Sequence, residues 1–417
     1  MGYTWLVSER QQSHRGVVSG VRALLLEGVH PNAEVLLTKA GVAVETSGRA
    51  LDPAELVARL GAVELLGIRS KTQVTDEVLA APGLLAVGAF CIGTNQIDLA
   101  AASRRGIAVF NAPFSNTRSV VELALAEMIA LTRRLVDKNG GMHAGVWDKS
   151  ADGSHEIRGR RLGIIGYGNI GSQLSVLAEA LGMSVVFYDT ADKLALGNAR
   201  RVGSLVDLLE CADIVTLHVD GRPGNEQLFG ADEFARMRPG SLFLNLSRGF
   251  VVDHDALRRH LASGHLAGAA VDVFPDEPAG RGDEFVSTLR GLPNVILTPH
   301  IGGSTEEAQQ DIGQFVAGKL HDFLAHGSTS VSVNLPALAL GVQPGTHRLA
   351  HLHRNTPGVL AAINGILADA GVNIEGQLLS TRGELGYVLT DIGRDYPDHV
   401  LRTLQAMPDT IRLRLLS

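Results

Sequence analysis

The sequence predicts an α/β protein with two doubly wound parallel sheets and a smaller C-terminal domain of ferredoxin-like order. Three observations support this prediction. Short apolar strands alternate with helical segments along most of the chain, an apolar strand leads directly into a glycine-rich turn at Gly166, and the order of elements changes after residue 346. With 417 residues, the chain is long enough for two or three domains of about 100–200 residues each.

The first part of the chain contains four short apolar segments that we interpret as strands, at residues 23–26, 63–68, 84–89 and 107–110. Between the first two, Asp52 precedes Pro53, which is typical of a helix N-cap followed by proline in the first turn. Strands that alternate with helices in this way favour a parallel sheet. We expect a first domain formed by residues 1–110 together with residues 301–336.

A segment without proline or glycine follows at residues 119–136, and its apolar residues recur at helical spacing. We expect one long amphipathic helix here. It would link the first domain to a second α/β domain, for which the sequence predicts the bounds 111–300.

The second domain carries a G-x-G-x-x-G motif between a strand at residues 162–165 and a helix that ends near Leu181. In such motifs the first glycine permits a tight turn, the second lets the backbone approach a pyrophosphate, and the third lets the helix pack against the strand. The helix N-terminus then directs free N–H groups at the phosphates. The expected contacts with the cofactor are Gly166, Gly168, Asn169, Ile170 and Gly171.

An acidic residue ends the next predicted strand, residues 184–188, at Asp189. A carboxylate about 20 residues after the motif binds the adenosine ribose hydroxyls of a dinucleotide. It would also repel the additional phosphate of NADP. The sequence therefore predicts NAD as the cofactor.

The remaining strands of this domain, predicted at residues 214–218, 242–246, 269–274 and 295–298, end in polar loops. Ligands of open α/β sheets bind at the carboxyl ends of the strands, where Arg248, Glu277 and His300 occur. Histidine accepts a proton near neutral pH, and a carboxylate can orient its ring. Arginine can bind a carboxylate with two hydrogen bonds. These three residues are the candidate catalytic group for hydride transfer from an alcohol to NAD.

Proline and glycine punctuate residues 337–346, which we interpret as a flexible linker. The rest of the chain predicts strand 349–353, helix 357–370, strands 372–379 and 386–392, helix 397–406 and strand 411–416. This βαββαβ order is ferredoxin-like. Because it has no glycine-rich phosphate loop, we expect residues 347–417 to be regulatory.

The composition limits the class of partner. A net charge of −7 argues against a nucleic-acid-binding surface. The 2 cysteines have neither the spacing of a zinc site nor a disulfide framework, so we predict no metal. No uncharged apolar segment is long enough to cross a membrane, and the N-terminus lacks a signal-peptide pattern. We expect a cytoplasmic protein that binds small molecules.

Several motifs resemble those of the D-isomer-specific 2-hydroxyacid dehydrogenase family: residues 162–171, 246–249, 270–278 and 298–304. Within that family, residues 90–96, 111–119 and 298–307 resemble the branch that oxidises 3-phospho-D-glycerate to 3-phosphohydroxypyruvate, the first step of L-serine biosynthesis. The C-terminal domain resembles the ACT domain of serine-regulated members. The resemblance covers the chain from about Ala23 onward.

This resemblance implies roles for individual residues. Arg248, Glu277 and His300 correspond to the catalytic group, and His218 and Asp272 to further cofactor contacts. Substrate contacts are implied at Arg69 and Lys71 and on the backbone near Ile92 and Gly93. Close relatives carry arginine where this chain has Lys71, and a proline where it has Asp220. The lysine keeps the charge but loses the two-pronged hydrogen bonding of arginine.

The C-terminal resemblance lies in residues 353–359 and 371–374. It implies that L-serine is an effector bound between paired domains by His353, Asn355 and Asn373. Asparagine suits a zwitterion because its side chain offers both a donor and an acceptor. The resemblance further implies a homotetramer, and Trp147 is similar to a tryptophan that inserts across a dimer interface in that family.

Two alternatives remain open. In the first, the enzyme also acts on 2-hydroxyglutarate and 2-oxoglutarate, or has another D-2-hydroxyacid specificity. In the second, the chain is an NAD-sensing binding protein similar to transcriptional corepressors of the same fold, some of which keep the Arg–Glu–His group. The cations at Arg69 and Lys71 and the ACT-like domain argue against the second alternative.

Overall fold

The computed structural model describes residues 20–278 and 282–416. The chain divides into two units, of which the first comprises Met1–Pro113 and Gln309–Ser417 and the second Phe114–Ala308. The C-terminal residues that the sequence set apart as a third domain therefore belong to the first unit. The predicted domain bounds stay a prediction, and residues 1–19 of the first domain lie outside the described residues.

A parallel sheet forms the centre of the first unit. Its strands are β1 (Arg22–Leu25), β2 (Ala43–Thr46), β3 (Leu65–Ile68), β4 (Ala86–Ala89) and β5 (Ala108–Phe110), connected by helices α1 (Pro31–Lys39), α2 (Pro53–Arg59), α3 (Asp76–Leu79) and α4 (Leu99–Arg104). The strand order is β2-β1-β3-β4-β5. The Asp52 carboxylate accepts a hydrogen bond from the N–H of Glu55 at 2.9 Å, which confirms the predicted start of α2. Strand β2 was not predicted, because its residues are largely exposed and lack an apolar run.

A second parallel sheet forms the centre of the second unit. Its strands are β6 (Arg161–Ile165), β7 (Ser184–Tyr188), β8 (Arg200–Arg201), β9 (Ile214–Leu217), β10 (Ser241–Asn245), β11 (Leu266–Val271) and β12 (Val295–Leu297). The helices are α5 (Thr117–Thr132), α6 (Leu135–His143), α7 (Asn169–Ala180), α8 (Leu205–Cys211), α9 (Ala231–Arg236) and α10 (His254–Ala262). The strand order β12-β11-β10-β9-β6-β7-β8 reverses between β6 and β9, as the order of the first sheet reverses between β1 and β3. Both sheets are thus doubly wound, as predicted, and such reversals are where ligands bind.

The single helix predicted over residues 119–136 is wrong at its C-terminal end. Helix α5 ends at Thr132, and α6 begins at Leu135. Between them, Arg134 has a φ of 53°, in the left-handed region, and its guanidinium pairs with Asp137 at 2.8 Å. Since neither proline nor glycine marks this break, the sequence carries no signal for it.

After helix α11 (Glu306–His326), the chain enters an antiparallel sheet. Its elements are β13 (His347–Arg354), α12 (Val359–Asp369), β14 (Ile374–Arg382), β15 (Leu385–Ile392), α13 (His399–Gln405) and β16 (Thr410–Leu416). The strand order is β14-β15-β13-β16, so the predicted ferredoxin-like arrangement is confirmed. One face packs on α12 and α13 through residues such as Leu349 and Val388, and the other contributes Leu352 to a core shared with Phe323 of α11.

The first half of the predicted flexible linker is hydrogen-bonded to this sheet. Arg348 donates to the carbonyl oxygens of Leu340 at 2.9 Å and Gly341 at 2.6 Å, and to that of His326 at 3.1 Å. Its guanidinium also pairs with Asp391 at 2.6 Å, and both side chains are buried. These bonds explain how a segment rich in glycine and proline is held against the C-terminal sheet.

None of the helices among the described residues is both long and apolar enough to cross a bilayer. Nor do residues 20–278 and 282–416 bring three or more His, Cys, Asp or Glu side chains together as a metal site requires.

Candidate active site

The glycine-rich turn after β6 depends on close approaches of the main chain. Gly166 has a φ of 92°, and a Cβ atom there would lie 2.5 Å from the carbonyl oxygen of His218. A Cβ atom at Gly171 would collide with the carbonyl oxygen of Gly166. By contrast, no described atom lies within 4 Å of the position that a Cβ atom would take at Gly168, which leaves the backbone there open to the approach of a phosphate group.

Helix α7 begins directly at this turn, with Gly168 as its N-cap. Because glycine has no side chain, the N-cap residue itself offers no oxygen to the first N–H groups of the helix. The N–H groups at the start of α7, where Asn169 and Ile170 lie, are therefore available to an anion. The partial positive charge of the helix N-terminus favours a phosphate there.

Asp189 directly follows β7 and is half-buried. One of its carboxylate oxygens accepts the N–H of Tyr167 at 2.8 Å, and the other accepts that of Ala191 at 2.8 Å. The first bond ties the carboxylate to the glycine-rich turn. A carboxylate oxygen can accept more than one hydrogen bond, so the group can still bind ribose hydroxyls.

His218 follows β9, the neighbour of β6 in the sheet. Burial of the ring lowers the pKa of His218 to about 4, so the imidazole is neutral. Its Nε2 lies 3.0 Å from Oγ1 of Thr216, whereas the buried Nδ1 has no hydrogen-bond partner among the described residues. Buried polar atoms are rarely left unpaired, so this nitrogen, the open glycine turn and Asp189 together fit a dinucleotide.

His300 and Glu277 are brought together by the loops that follow β11 and β12. The Nδ1 atom of His300 lies 2.9 Å from Oε2 and 3.1 Å from Oε1 of Glu277. The hydrogen bond to Glu277 raises the pKa of His300 against the opposing effect of burial. Burial acts to raise the pKa of Glu277, but the hydrogen bond and charge of His300 outweigh it and lower that pKa overall. The pair can therefore store a proton on the imidazole while the carboxylate stays ionised.

The loop that carries His300 is anchored by Asp272, whose side chain is buried. The Asp272 carboxylate accepts hydrogen bonds from Oγ1 of Thr298 at 2.6 Å and from the N–H groups of Ile301 and Gly302, each at 2.8 Å. These partners lie on both sides of His300, whose φ of 54° is in the left-handed region. The cofactor contact implied for Asp272 stays a prediction, and the bonds that it makes position the histidine.

Arg248 lies in the turn after β10, which the buried side chain of Asn245 holds. The Oδ1 of Asn245 accepts the N–H of Ser247 at 3.0 Å, and its Nδ2 donates to the carbonyl of Arg248 at 3.0 Å. The charge of Arg248 acts on both Glu277 and His300. The three candidate catalytic side chains thus share one end of the second sheet.

The next residue, Gly249, packs tightly against the chain after β11. A Cβ atom at Gly249 would collide with the main-chain carbonyl of Phe274. Phe274 also donates its N–H to Oε1 of Glu277 at 3.2 Å. The absence of a side chain at Gly249 therefore allows the arginine turn to lie against the glutamate loop.

The predicted substrate residues lie in the first unit, at the carboxyl ends of β3 and β4. Arg69 is half-buried and Lys71 is exposed. The carbonyl of Ile92 accepts a hydrogen bond from Nδ2 of Asn111 at 2.6 Å, and that of Gly93 accepts one from Nε2 of Gln96 at 3.3 Å. Side chains that follow the strands thus hold these loops in place.

The three residues implied to bind an effector do not converge within one chain. His353 pairs with Gly386 near one end of the antiparallel sheet, and Asn355 donates to the carbonyl of Gly383 at 3.1 Å at that same end. Asn373 precedes Ile374, which pairs with Ile392 at the other end. At about 3.4 Å per residue, the register separates the two ends by roughly 20 Å. The His353 ring is buried, and its Nε2 has no partner among the described residues.

Four residues that hold the loops by hydrogen bonds were not predicted as functional from the sequence, although they share a pattern. Each is polar and lies at the carboxyl end of a strand or in the loop that follows it. They are Glu27 after β1, Gln96 after β4, Asn111 directly after β5, and Asn245 at the end of β10. A search for amide and carboxyl side chains at or directly after predicted strand ends would have found Glu27, Asn111 and Asn245, but not Gln96, which lies farther along its loop.

Comparisons with known proteins agree with this arrangement. Residues 125–302 match the family model of the D-isomer specific 2-hydroxyacid dehydrogenase NAD binding domain, and residues 349–412 match that of the AHAS small subunit-like ACT domain. The chain is 52% identical over 400 residues to D-3-phosphoglycerate dehydrogenase of Escherichia coli strain K12, which covers 95% of this chain and 97% of the relative. A D-3-phosphoglycerate dehydrogenase of Dictyostelium discoideum is 46% identical over 397 residues, covering 95% of this chain and 97% of the relative.

Two solved dehydrogenase structures resemble about three quarters of the chain. D-2-hydroxyisocaproate dehydrogenase superimposes with a TM-score of 0.67 at 26% identity, over 75% of this chain and 100% of its own. D-lactate dehydrogenase from Aquifex aeolicus, solved with NAD and lactic acid, gives a TM-score of 0.64 at 25% identity, over 72% of this chain and 95% of its own.

Proposed function

Because the chain belongs to the D-isomer-specific 2-hydroxyacid dehydrogenase family, among its D-3-phosphoglycerate dehydrogenases, we propose that it uses NAD to oxidise 3-phospho-D-glycerate to 3-phosphohydroxypyruvate at the start of L-serine biosynthesis. The observation that carries this proposal is the hydrogen-bonded pair of His300 and Glu277, with Arg248 at the same end of the sheet. A base, its orienting carboxylate and a cation for the substrate carboxylate are the groups that this oxidation needs.

We assign the proton transfer to His300. Its neutral Nε2 accepts the proton of the C2 hydroxyl group, while Glu277 stabilises the resulting imidazolium through Nδ1. NAD supplies the acceptor for the hydride that leaves C2. Arg248 binds the adjacent carboxylate and polarises the oxygen at C2. The residues of the glycine turn, with Asp189 and His218, hold the cofactor.

We assign the phosphate of the substrate to Arg69 and Lys71, with the backbone at Ile92 and Gly93 completing the contacts. A substrate with two anionic ends needs cations besides Arg248, and these two follow one strand of the first sheet. The ammonium of Lys71 supplies charge without the fork geometry of a guanidinium. Because Lys71 binds the second anionic end of the substrate by its charge, it can also bind the distal carboxylate of 2-hydroxyglutarate in place of a phosphate. We therefore propose that the enzyme also oxidises 2-hydroxyglutarate and catalyses the reverse reaction, the reduction of 2-oxoglutarate.

One assay tests the reaction. The purified protein is mixed with NAD and 3-phospho-D-glycerate, and the appearance of NADH is followed by absorbance; 2-hydroxyglutarate and D-lactate serve as comparison substrates. We expect kcat/KM to be highest for 3-phospho-D-glycerate and measurable for 2-hydroxyglutarate. If NAD binds but none of the acids yields NADH, the reaction is refuted and the NAD-sensing alternative is favoured.

We further propose that L-serine inhibits the enzyme by binding at the C-terminal domain. The buried Nε2 of His353, which has no hydrogen-bond partner within residues 20–278 and 282–416, supports this assignment, because a bound amino acid can supply the missing hydrogen bond. The distance between Asn373 and His353 along the sheet supports a site built from two copies. Turnover measured over a range of serine concentrations should fall, and unchanged turnover at millimolar serine would contradict the proposal.

A group of exposed apolar side chains in the second unit also supports association of two copies of the chain. After α6, Trp147 is 78% exposed and Val146 is 57% exposed, and Met142 within α6 is 53% exposed. Large apolar side chains grouped on a surface mark interfaces between proteins. We propose a homotetramer that uses this surface and the C-terminal domain as its two contacts. Light scattering on the purified protein should give the mass of four chains, and the mass of one chain would contradict it.

A further inference from the structure

Glu27 binds the backbone of the loop that carries Arg69 and Lys71. Its Oε1 accepts the N–H of Arg69 at 3.1 Å and that of Thr72 at 2.8 Å, and its Oε2 accepts the N–H of Lys71 at 3.0 Å. One side chain therefore binds three N–H groups of a four-residue loop. Hydrogen bonds to an ionised acceptor are roughly twice as strong as those between neutral groups.

Glu27 reaches this loop across the point where the strand order reverses. It follows β1, and the loop follows β3, the strand that pairs with β1. In a doubly wound sheet, the crevice at such a reversal receives the ligand. The side chain thus links the two strand ends that border the crevice.

The backbone of Glu27 is fixed in an unusual conformation. Its φ is 62°, in the left-handed region that a residue with a Cβ atom rarely adopts. Its N–H donates to the carbonyl of Arg49 at 3.2 Å, and the next N–H, of Gly28, donates to Ser47 at 3.1 Å. Such conformations persist where the surroundings hold them, and they cluster at functional sites. Here the conformation belongs to the residue that binds the loop after β3.

The same loop is held from the opposite side. The Nε2 of Gln96, which follows β4, donates to the carbonyl of Arg69 at 2.6 Å, and Gln96 is buried. Both the N–H and the C=O of Arg69 are therefore bound by side chains from neighbouring strand ends. A shift of the loop would break bonds on both sides.

We propose that Glu27 is a positioning residue for substrate selection: by binding the main chain of residues 69–72, it fixes where the cations of Arg69 and Lys71 meet the substrate phosphate. This inference rests on the proposed function, which assigns the phosphate to those two cations. Glu27 lies in the first unit and His300 in the second. Because the Glu27 carboxylate binds the loop that carries the cations for the phosphate, we expect it to act on substrate affinity and not on proton transfer by the histidine.

Two substitutions and one control test this role. Glu27→Gln keeps the size of the side chain but replaces an acceptor oxygen by an NH₂ group, and Glu27→Ala removes both acceptors. Glu34→Gln removes an exposed carboxylate in the first turn of α1. We expect KM for 3-phospho-D-glycerate to rise at least about tenfold in Glu27→Gln, the effect of one or two lost charge-assisted bonds, and further in Glu27→Ala. The values of kcat and of KM for NAD should stay near those of the unaltered enzyme, as should all parameters of Glu34→Gln.

Hydrogen–deuterium exchange separates this inference from the proposed function, because it needs no turnover. The amides of residues 69–72 should exchange faster in Glu27→Gln than in the unaltered protein, and at the same rate in Glu34→Gln. Faster exchange with the predicted rise in KM supports the role. Unchanged exchange, or faster exchange with an unchanged KM, overturns it. A fall in kcat and in the affinity for NAD together with a lower Tm also overturns it, because this combination indicates general destabilisation. If the unaltered protein yields no NADH, the proposed function fails. The exchange rates of residues 69–72 still show whether Glu27 holds the loop: faster exchange in Glu27→Gln than in the unaltered protein means that it does, and equal exchange means that it does not.

Discussion

His300 combines a left-handed backbone with a hydrogen bond to Glu277. A residue with a Cβ atom in this region costs on the order of 1–3 kcal/mol, so the surrounding bonds must hold it there. Asp272 does so by binding the N–H groups of Ile301 and Gly302, which follow directly. The ring is thus positioned by main-chain geometry as well as by its own partner.

Replacing His300 by alanine tests the assigned base. We expect kcat for 3-phospho-D-glycerate to fall at least about 100-fold, the scale of general acid–base catalysis. The affinity for NAD, measured by fluorescence titration, should change little, because the glycine turn and Asp189 are untouched. A loss in kcat of only a few fold would exclude His300 as the base.

The pH dependence of the reaction depends on the pair with Glu277. Oxidation needs the neutral imidazole, and the hydrogen bond to Glu277 raises the pKa of His300 above its ordinary value of 6.5. We therefore expect kcat/KM to rise with pH through a pKa above 6.5. Glu277→Gln removes the charge that holds the proton, so the rising limb should move to lower pH while kcat falls. A limb that stays in place would show that another group titrates.

Replacing Arg69 by alanine tests whether the phosphate and the carboxylate of the substrate are bound by different cations. With Arg248 intact, we expect KM for 3-phospho-D-glycerate to rise about tenfold or more with a small change in kcat, because one charge-assisted contact with the phosphate is lost. Activity on an unphosphorylated 2-hydroxy acid should be nearly unchanged. Equal losses on both substrates would contradict the role assigned to Arg69.

At the scale of elements, the loops at the strand ends depend on close main-chain packing. Gly249→Ala puts a methyl group against the carbonyl of Phe274, and backbone cannot move aside as a side chain can. We expect a lower Tm and a loss of kcat, since the turn of Arg248 and the loop of Glu277 are pushed apart. Gly224→Ala is the matched control, because a Cβ atom there meets nothing within 4 Å. Similar Tm values for both variants would refute the packing argument.

The sequence predicts strands and their ends well where apolar runs meet glycine or polar turns, as at β6 and β7. It fails at Arg134, whose left-handed conformation interrupts a continuous helical pattern without glycine or proline. It also fails for residues whose role is defined by distant partners. Glu27 binds the N–H groups of residues more than 40 positions away. Its place after a predicted strand makes it a candidate, but no spacing in the sequence identifies those partners.

At the scale of the whole molecule, the C-terminal sheet and the sheet of the first unit are part of one unit. Arg414 of β16 donates to the carbonyls of Phe323 and Leu324, each at 3.0 Å, and its guanidinium lies 4.4 Å from the centre of the Phe323 ring. A ligand that moves the C-terminal sheet therefore acts on the end of α11. This contact offers a physical route from an effector at the C-terminal sheet to α11 in the same unit, provided that the effector favours one arrangement over another.

His353 and Asn373 lie at opposite ends of the C-terminal sheet, and this has a consequence for mixtures of variants. Suppose that each serine site takes His353 from one copy and Asn373 from the other. When both copies carry His353→Ala, or both carry Asn373→Ala, each of the two serine sites lacks one residue. In a pair formed by one His353→Ala copy and one Asn373→Ala copy, one site carries both substitutions and the other site carries neither. Each variant expressed alone should therefore be insensitive to serine. We expect the protein obtained by co-expressing the two variants to be partly inhibited by serine. Persistent insensitivity of the hybrid would contradict a serine site that takes one of these residues from each copy.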